Sequence, residues 1–219
     1  MNDDPLKTLD AIRQRRTIKA ISHELLPPKS TDKALIETLL EAAHWGPYHY
    51  PCSLEYRSTL SSEVPWRFYV LDSQTCRKLA VKLNEMNINT GKVGGMLNCC
   101  DYLIMSTWCP QAMKQPQANG ILFDGSIINM EHIAATGAAI QNLLLAATAL
   151  GQKNYWGSGG VLRQAFAFEL LGIAVEEILL GALFIFPSDD EGGKIQYVSG
   201  KKPAQRGTTT DACRWVTLP

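Results

Sequence analysis

Two short stretches of this 219-residue chain carry residue types able to hold a small anionic molecule. The first is Ile12-Arg13-Gln14-Arg15-Arg16-Thr17-Ile18-Lys19, which places four cations and a hydroxyl close together with no acid among them. Guanidinium groups offer forked hydrogen bonds to phosphate oxygens, and a hydroxyl adds a donor. The same cations also suit the C-terminal end of a helix, where carbonyl dipoles attract positive charge. The second stretch is Trp156-Gly157-Ser158-Gly159-Gly160. Glycines there let the backbone approach a ligand closely, although a plain loop after a helix has the same composition.

Common alternatives are absent. Residue 162 is Leu, so the glycine run is not G-x-G-x-x-G. It is also expected to follow a helix rather than a strand, which argues against a Rossmann dinucleotide site. No G-x-x-x-x-G-K-[ST] or G-x-S-x-G occurs, so neither a P-loop nor a nucleophile elbow is expected. The six cysteines form no C-x-x-C pair and the four histidines no H-x-x-x-H pair, so no metal site is expected. The cysteines read as small buried hydrophobes in a reducing cytoplasm.

Lys plus Arg and Asp plus Glu are each 21, for a net charge of zero. That balance argues against nucleic acid as a partner. The average conceals two acid-free basic segments, residues 12–21 and 194–207. Apolar residues make up 46%, enough for a core. The N-terminus lacks a signal-peptide pattern. Ile133–Leu150 carries too many polar residues for a membrane span, so no membrane is expected.

Periodicity predicts the elements that position these residues. Helices are expected at Pro5–Arg13, Lys33–Trp45 (capped by Thr31 or Asp32), Thr75–Met86, Ile127–Leu150 and Leu162–Leu170. Strands are expected at Phe68–Leu71, Tyr102–Thr107 and Glu177–Phe186. Tyr48–Val64 reads as a polar, aromatic loop, Pro110–Ile121 as a loop or lid, Gln152–Gly160 as a glycine-rich turn, and everything after Pro187 as a polar tail. The class is α+β or α/β, with no internal repeat or dividing linker.

Five segments in order resemble the nitroreductase family of FMN-dependent oxidoreductases. They are Arg15-Arg16-Thr17-Ile18-Lys19, Leu40-Glu41-Ala42-Ala43-His44-Trp45-Gly46-Pro47 with Pro65-Trp66-Arg67-Phe68, the Gly137–Gly151 helix, Tyr155–Gly160, and Glu177–Pro187. The resemblance implies an α+β fold: one nitroreductase-like domain over 1–219, a three-layer α/β/α sandwich with a mainly antiparallel sheet and a long central helix. It implies a homodimer, with the tail from about 188 to 219 extending onto the partner subunit.

It also implies site roles. Arg15 would bind the FMN phosphate, and Arg16 and Thr17 the ribityl–phosphate arm or ring edge. Lys19 would tune the flavin at its pyrimidine edge, with Lys92 as a second cation there. Pro47, Tyr48 and His49 would contact the flavin held by the partner subunit. Trp156, Gly157, Ser158, Gly159 and Gly160 would lie along the flavin, a backbone N–H pointing at N5. Arg206, or Lys201 and Lys202 nearby, would reach the phosphate. Tyr48, His49, Tyr50 or Trp108 would line the open face. The chain departs from the family between Pro47 and Pro65, where an insertion replaces the expected Ser, Asn and Gln.

The implied activity is hydride transfer from NADH or NADPH to FMN, then reduction of a nitroaromatic, quinone or similar small-molecule acceptor by a ping-pong mechanism. No side-chain nucleophile is needed, because the cofactor carries the chemistry. The alternatives are a specialised branch (dehalogenation or flavin fragmentation) and a non-catalytic flavin-binding protein. A cytoplasmic location is expected.

Overall fold

The computed structural model describes residues 5–57, 60–111, 123–201 and 207–218. Among them the helices are α1 Pro5–Gln14, α2 Lys33–His44, α3 Ser73–Glu85, α4 Lys92–Leu97, α5 Ile127–Ala149 and α6 Ala165–Leu171. The strands are β1 Ile18–Ile21, β2 Trp66–Asp72, β3 Tyr102–Trp108, β4 Lys153–Gly157, β5 Ile178–Phe186 and β6 Gln196–Ser199.

Side-chain oxygens start three of the helices by accepting otherwise unpaired backbone N–H groups. Asp32 accepts from Leu35 N at 3.0 Å, Asp72 from Thr75 N at 2.8 Å and Ser126 from Asn129 N at 3.3 Å. Of the two expected caps for α2, Asp32 is therefore the one used. Helix α5 stops where Gly151 adopts φ +76°, a left-handed conformation that glycine adopts freely.

The main sheet has the order β2-β3-β5-β4, antiparallel throughout. Its alternating side chains feed two apolar layers. Leu103 and Met105 of β3 and Ala182, Phe184 and Phe186 of β5 join Leu79 and Leu83 of α3, Leu97 of α4 and Phe168 of α6. Ile104 and Tyr102 of β3 and Leu183 and Ile185 of β5 face α2 and α5, meeting Leu39, Ile140, Leu143 and Leu144. The result is the expected α+β sandwich, with helices on both faces and α5 as the long central helix. No described helix is long and apolar enough to cross a membrane.

The structure corrects the sequence reading in four places. Gln152–Gly160 is not a turn throughout, because Lys153–Gly157 pairs with Ala182–Phe186 as an edge strand. The glycine run therefore leaves a strand, not the long helix. The single helix expected at Leu162–Leu170 is split into a 3-10 turn, Gly160–Arg163, and α6. Extended backbone at Gln164, with ψ 150°, breaks it. Two short elements, β1 and α4, went unrecognised. The tail is not featureless, because β6 pairs with β1: Ile18 faces Ser199 and Ile21 faces Gln196. Most of the lid candidate Pro110–Ile121 lies outside the described residues.

Asp101, just before β3, is a buried carboxyl with an unpartnered Oδ1. Burial, with Glu191 and Asp189 nearby, pushes its pKa up to about 6 against the pull of Lys29 and Arg77. Between about pH 4 and about pH 6 the folded state retains a proton that the unfolded chain has released. Stability from this group is therefore lost as pH rises through that window. Melting curves should show wild type losing ground to Asp101→Asn as pH rises from the bottom of the window to the top, with a constant difference above it.

Candidate functional site

A cleft of about 370 Å³ opens where β1, β4 and the residues leading into α4 converge. It is lined by Lys19, by Asn89 to Val93, by Tyr155, and by Gly157 to Val161. Phe184 forms part of its wall, with Tyr155 stacked on it at 6.3 Å between ring centroids. The Lys19 ammonium stands 4.9 Å from the centroid of the Tyr155 ring, a favourable placement of a cation over an aromatic face.

The two lysines arrive from different directions. Lys19 is carried by β1, tied to β4 by the parallel bridge Thr17–Asn154. Lys92 begins α4, which lies close against β1. Ser22 N donates to Gly95 O at 3.0 Å, and Asn98 Nδ2 donates to Ser22 O at 3.1 Å. At Gly95 a Cβ would collide with the Ile21 side chain, so this close approach requires glycine. Buried Arg77 fastens the other end of α4 and its neighbours. Its Nε donates to Leu26 O at 2.9 Å, and Nη1 donates to Leu97 O at 2.5 Å and Cys100 O at 2.9 Å.

The far wall is the glycine turn. Gly159 has φ +105° and Gly160 φ +56°, so the chain doubles back from β4 within two residues. The lining combines cations, hydroxyls, amides and main-chain groups, and among the described residues no carboxylate borders it. Chemically it suits a flat, partly apolar molecule bearing negative charge on one edge. A larger cleft, about 620 Å³, lies on the other side of Thr90, Gly91 and Lys92, toward α3.

The sequence-predicted residues divide into groups. Lys19, Gly157, Ser158, Gly159 and Gly160 line the cleft, with Lys92 opposite. Trp156 does not line it. In β4 the side chains alternate, so Tyr155 faces the cleft while the Trp156 indole packs over Gly181 on the other side.

Arg15, Arg16 and Thr17 also fall outside the lining. The Arg16 guanidinium turns back onto the end of α1, donating to Arg13 O and to Arg15 O, the latter at 3.1 Å. Arg15 is partly buried, and its main-chain N–H continues α1 by donating to Ala11 O at 2.9 Å. Thr17 O accepts from Gly200 N at 2.8 Å, so Lys201 follows directly beside the N-terminal basic segment. Arg206 and Lys202 lie outside the described residues.

Pro47, Tyr48 and His49 sit at the α2–α5 side of the sheet, away from the cleft within one chain. Tyr48 meets Trp66 edge-on at 5.9 Å, and His49 Nδ1 lies 3.7 Å from Glu131 of α5. Tyr50 is exposed. Trp108 does not line an open face, because it is buried at the end of β3 with its ring edge-on to Phe123. Sequence reading missed Tyr155, Phe184 and the Asn89–Gly91 turn. The turn residues before Lys92 were the available signal for the last.

The sequence model of the nitroreductase family matches residues 12–185. A nitroreductase-like family protein from Bacillus cereus is 20% identical, with 95% of each chain covered and a TM-score of 0.60. Nitroreductase CinD from Lactococcus lactis, in complex with nicotinic acid, is 16% identical over 96% of this chain and 99% of that one, TM-score 0.60. A nitroreductase with bound FMN from Bacteroides fragilis is 16% identical over 87% and 90%, TM-score 0.52. No curated protein matches the sequence.

Gly159→Ala is expected to strain the turn, because φ +105° excludes ordinary side chains and the new Cβ would meet Leu179 at 2.5 Å. A loss of about 1–3 kcal/mol is expected from the backbone conformation alone, read from the midpoint of urea unfolding.

Proposed function

The chain belongs to the nitroreductase family, and from that premise we propose that it is an FMN-dependent oxidoreductase. It draws electrons from NADH or NADPH and delivers them to a small-molecule acceptor such as a nitroaromatic or a quinone. The observation that carries this reading is the cleft in which Lys19 and Lys92 face the glycine turn, with no carboxylate in the lining among the described residues.

The residues fit the group. Bound FMN supplies two-electron transfer from a reduced nicotinamide to an acceptor in alternating half-reactions. The two ammonium groups, Lys19 half-buried and Lys92 exposed, stabilise negative charge at one edge of the site. Asn89, Thr90 and Ser158 add hydrogen-bonding groups, and the open backbone from Gly157 to Gly160 admits close approach. Tyr155 and Phe184 provide an apolar wall and exclude water from that side. The phosphate is assigned to Arg15, Arg16 and Thr17 with Arg206, a reading supported on the N-terminal side by Gly200 N donating to Thr17 O, which sets Lys201 beside that segment.

We also propose a homodimer. Helix α5 is apolar on nearly all sides, yet Ile127 and Met130 are exposed and Gly137 borders open space. The tail presents Trp215, 94% exposed, with Val216 and Leu218. A second copy would cover both, and would bring its own Pro47, Tyr48 and His49 toward the cleft. Sedimentation velocity should therefore give a dimer mass at micromolar concentration.

The central test is an FMN titration with an absorbance spectrum, followed by anaerobic addition of each nicotinamide. Wild type should take up FMN and bleach. Lys19→Met with Lys92→Met should weaken FMN binding about 10- to 100-fold, as expected for losing charge-assisted contacts of about 1.5–3 kcal/mol. A wild-type chain that takes up no FMN would refute the reading.

A further inference from the structure

An aromatic column runs from the core to the cleft. Tyr155 of β4 lies opposite Phe184 of β5 in the sheet register. Their rings stack with centroids 6.3 Å apart and planes at 28°. Phe186 continues the column, 5.9 Å from Phe184 and nearly parallel to it at 6°. Phe184 and Phe186 are buried in the core, so the inner end of the column is fixed. At the outer end Gly157 leaves room for the Tyr155 ring. A Cβ at Gly157 would stand 2.8 Å from Tyr155 Cε1 and push the ring aside.

The Lys19 ammonium caps this column, 4.9 Å from the Tyr155 centroid. Both residues are half-buried, where a cation is attracted to a ring face more strongly than at an open surface. Among the described residues no carboxylate or carbonyl holds this ammonium, so the ring is its anchor. The choice of anchor has two consequences. A free lysine side chain has large rotamer freedom, and losing it opposes the binding of any ligand it must meet. A lysine already held over a ring has lost part of that freedom beforehand. A carboxylate anchor would also restrain the ammonium, but it would cancel the charge. A neutral ring restrains it and leaves the charge available to the cleft. Lys92, by contrast, is exposed and stands over no ring among the described residues.

We infer that Tyr155 is a positioning residue, whose ring fixes the Lys19 ammonium at the edge of the cleft. It acts through Lys19, by its ring face and not by its hydroxyl. The identity of the ligand rests on the flavin reading. With FMN in the cleft, a fixed ammonium favours whichever form of the cofactor carries more negative charge. Removing the ring therefore weakens binding and lowers the midpoint potential of the bound cofactor. The potential falls by about 30 mV for each tenfold difference created between the affinities of the two redox forms.

The test combines three substitutions in the full chain. Tyr155→Leu removes the ring, Tyr155→Phe keeps the ring and removes the hydroxyl, and Lys19→Met removes the cation. Without FMN, urea unfolding of Lys19→Met, Tyr155→Leu and the double variant forms a double-mutant cycle. The two positions should be coupled by about 2- to 5-fold in the folding equilibrium, and the same cycle with Tyr155→Phe should show almost no coupling. With FMN, Tyr155→Leu should weaken binding by about 3- to 30-fold and lower the potential, and Tyr155→Phe should recover most of both. In a Lys19→Met background Tyr155→Leu should add nothing, whereas in a Lys92→Met background it should keep its full effect. Should Tyr155→Leu fail to fold, Tyr155→Met serves in the same cycles. Additive losses in the FMN-free cycle, or an effect of Tyr155→Leu that survives in the Lys19→Met chain, would overturn the proposal. The FMN-free cycle is read on the chain alone, so failure here is distinguishable from failure of the flavin reading.

Discussion

The structure depends on strand β5 being paired along both edges. It pairs with β3 from Ile178 to Ile185, with a bulge at Leu180, and with β4 from Ala182 to Phe186. Where both neighbours are present, from Ala182 to Ile185, the backbone is paired on both sides, as a strand buried in the core requires. Its alternating side chains must then face two separate layers, and both helical layers follow from that requirement. The same pairing brings β4 to the sheet edge, and only from there can its glycine end form the wall of a cleft. Gly181 contributes directly, because a side chain there would occupy the space of the Trp156 indole.

The second constraint is the closure of the chain's two ends on each other. Strands β1 and β6 are four residues each, too short for independent stability as a two-stranded ribbon. They persist because β1 is held from two other sides. The Thr17–Asn154 bridge ties it to β4, and α4 packs against it through Gly95. This closure gives the zero net charge its meaning. Lys201 comes to lie beside the N-terminal basic segment, from which it is far apart in sequence. Repulsion between Arg16 and Lys201 is tolerable because both are exposed, where screening is strong.

Two buried guanidinium groups hold irregular backbone in place. Arg77 gathers carbonyls from Leu26, Leu97 and Cys100, and Arg67 does the same for the segment before β2. A loop buried without such a donor would leave carbonyl groups unsatisfied. Each arginine therefore replaces the hydrogen-bond ladder that its neighbouring segment lacks. On the α2–α5 side, His132 plays a smaller part, its Nδ1 lying 2.8 Å from Cys109 O.

Local chemistry made much of this legible. Helices α2, α3 and α5 declare themselves through caps and apolar period, and β3 and β5 through continuous apolar runs. The glycine run and Lys19 were recognisable as site candidates from residue type alone. Other elements carry no such signal. Lys153-Asn154-Tyr155-Trp156-Gly157 has neither a clean alternation nor an apolar run, and it becomes a strand because β5 offers it an open edge. Residues 18–21 and 196–199 are strands only in each other's company. Which face of β4 bears the cleft, and hence Tyr155 rather than Trp156, is a matter of register. Register is fixed by long-range pairing, not by local preference. The sequence by itself determined the fold class, the main helices and the kind of chemistry the cations and glycines could support. Only the tertiary structure decided which of those residues share a cleft, because a shared cleft depends on contacts between segments more than a hundred residues apart.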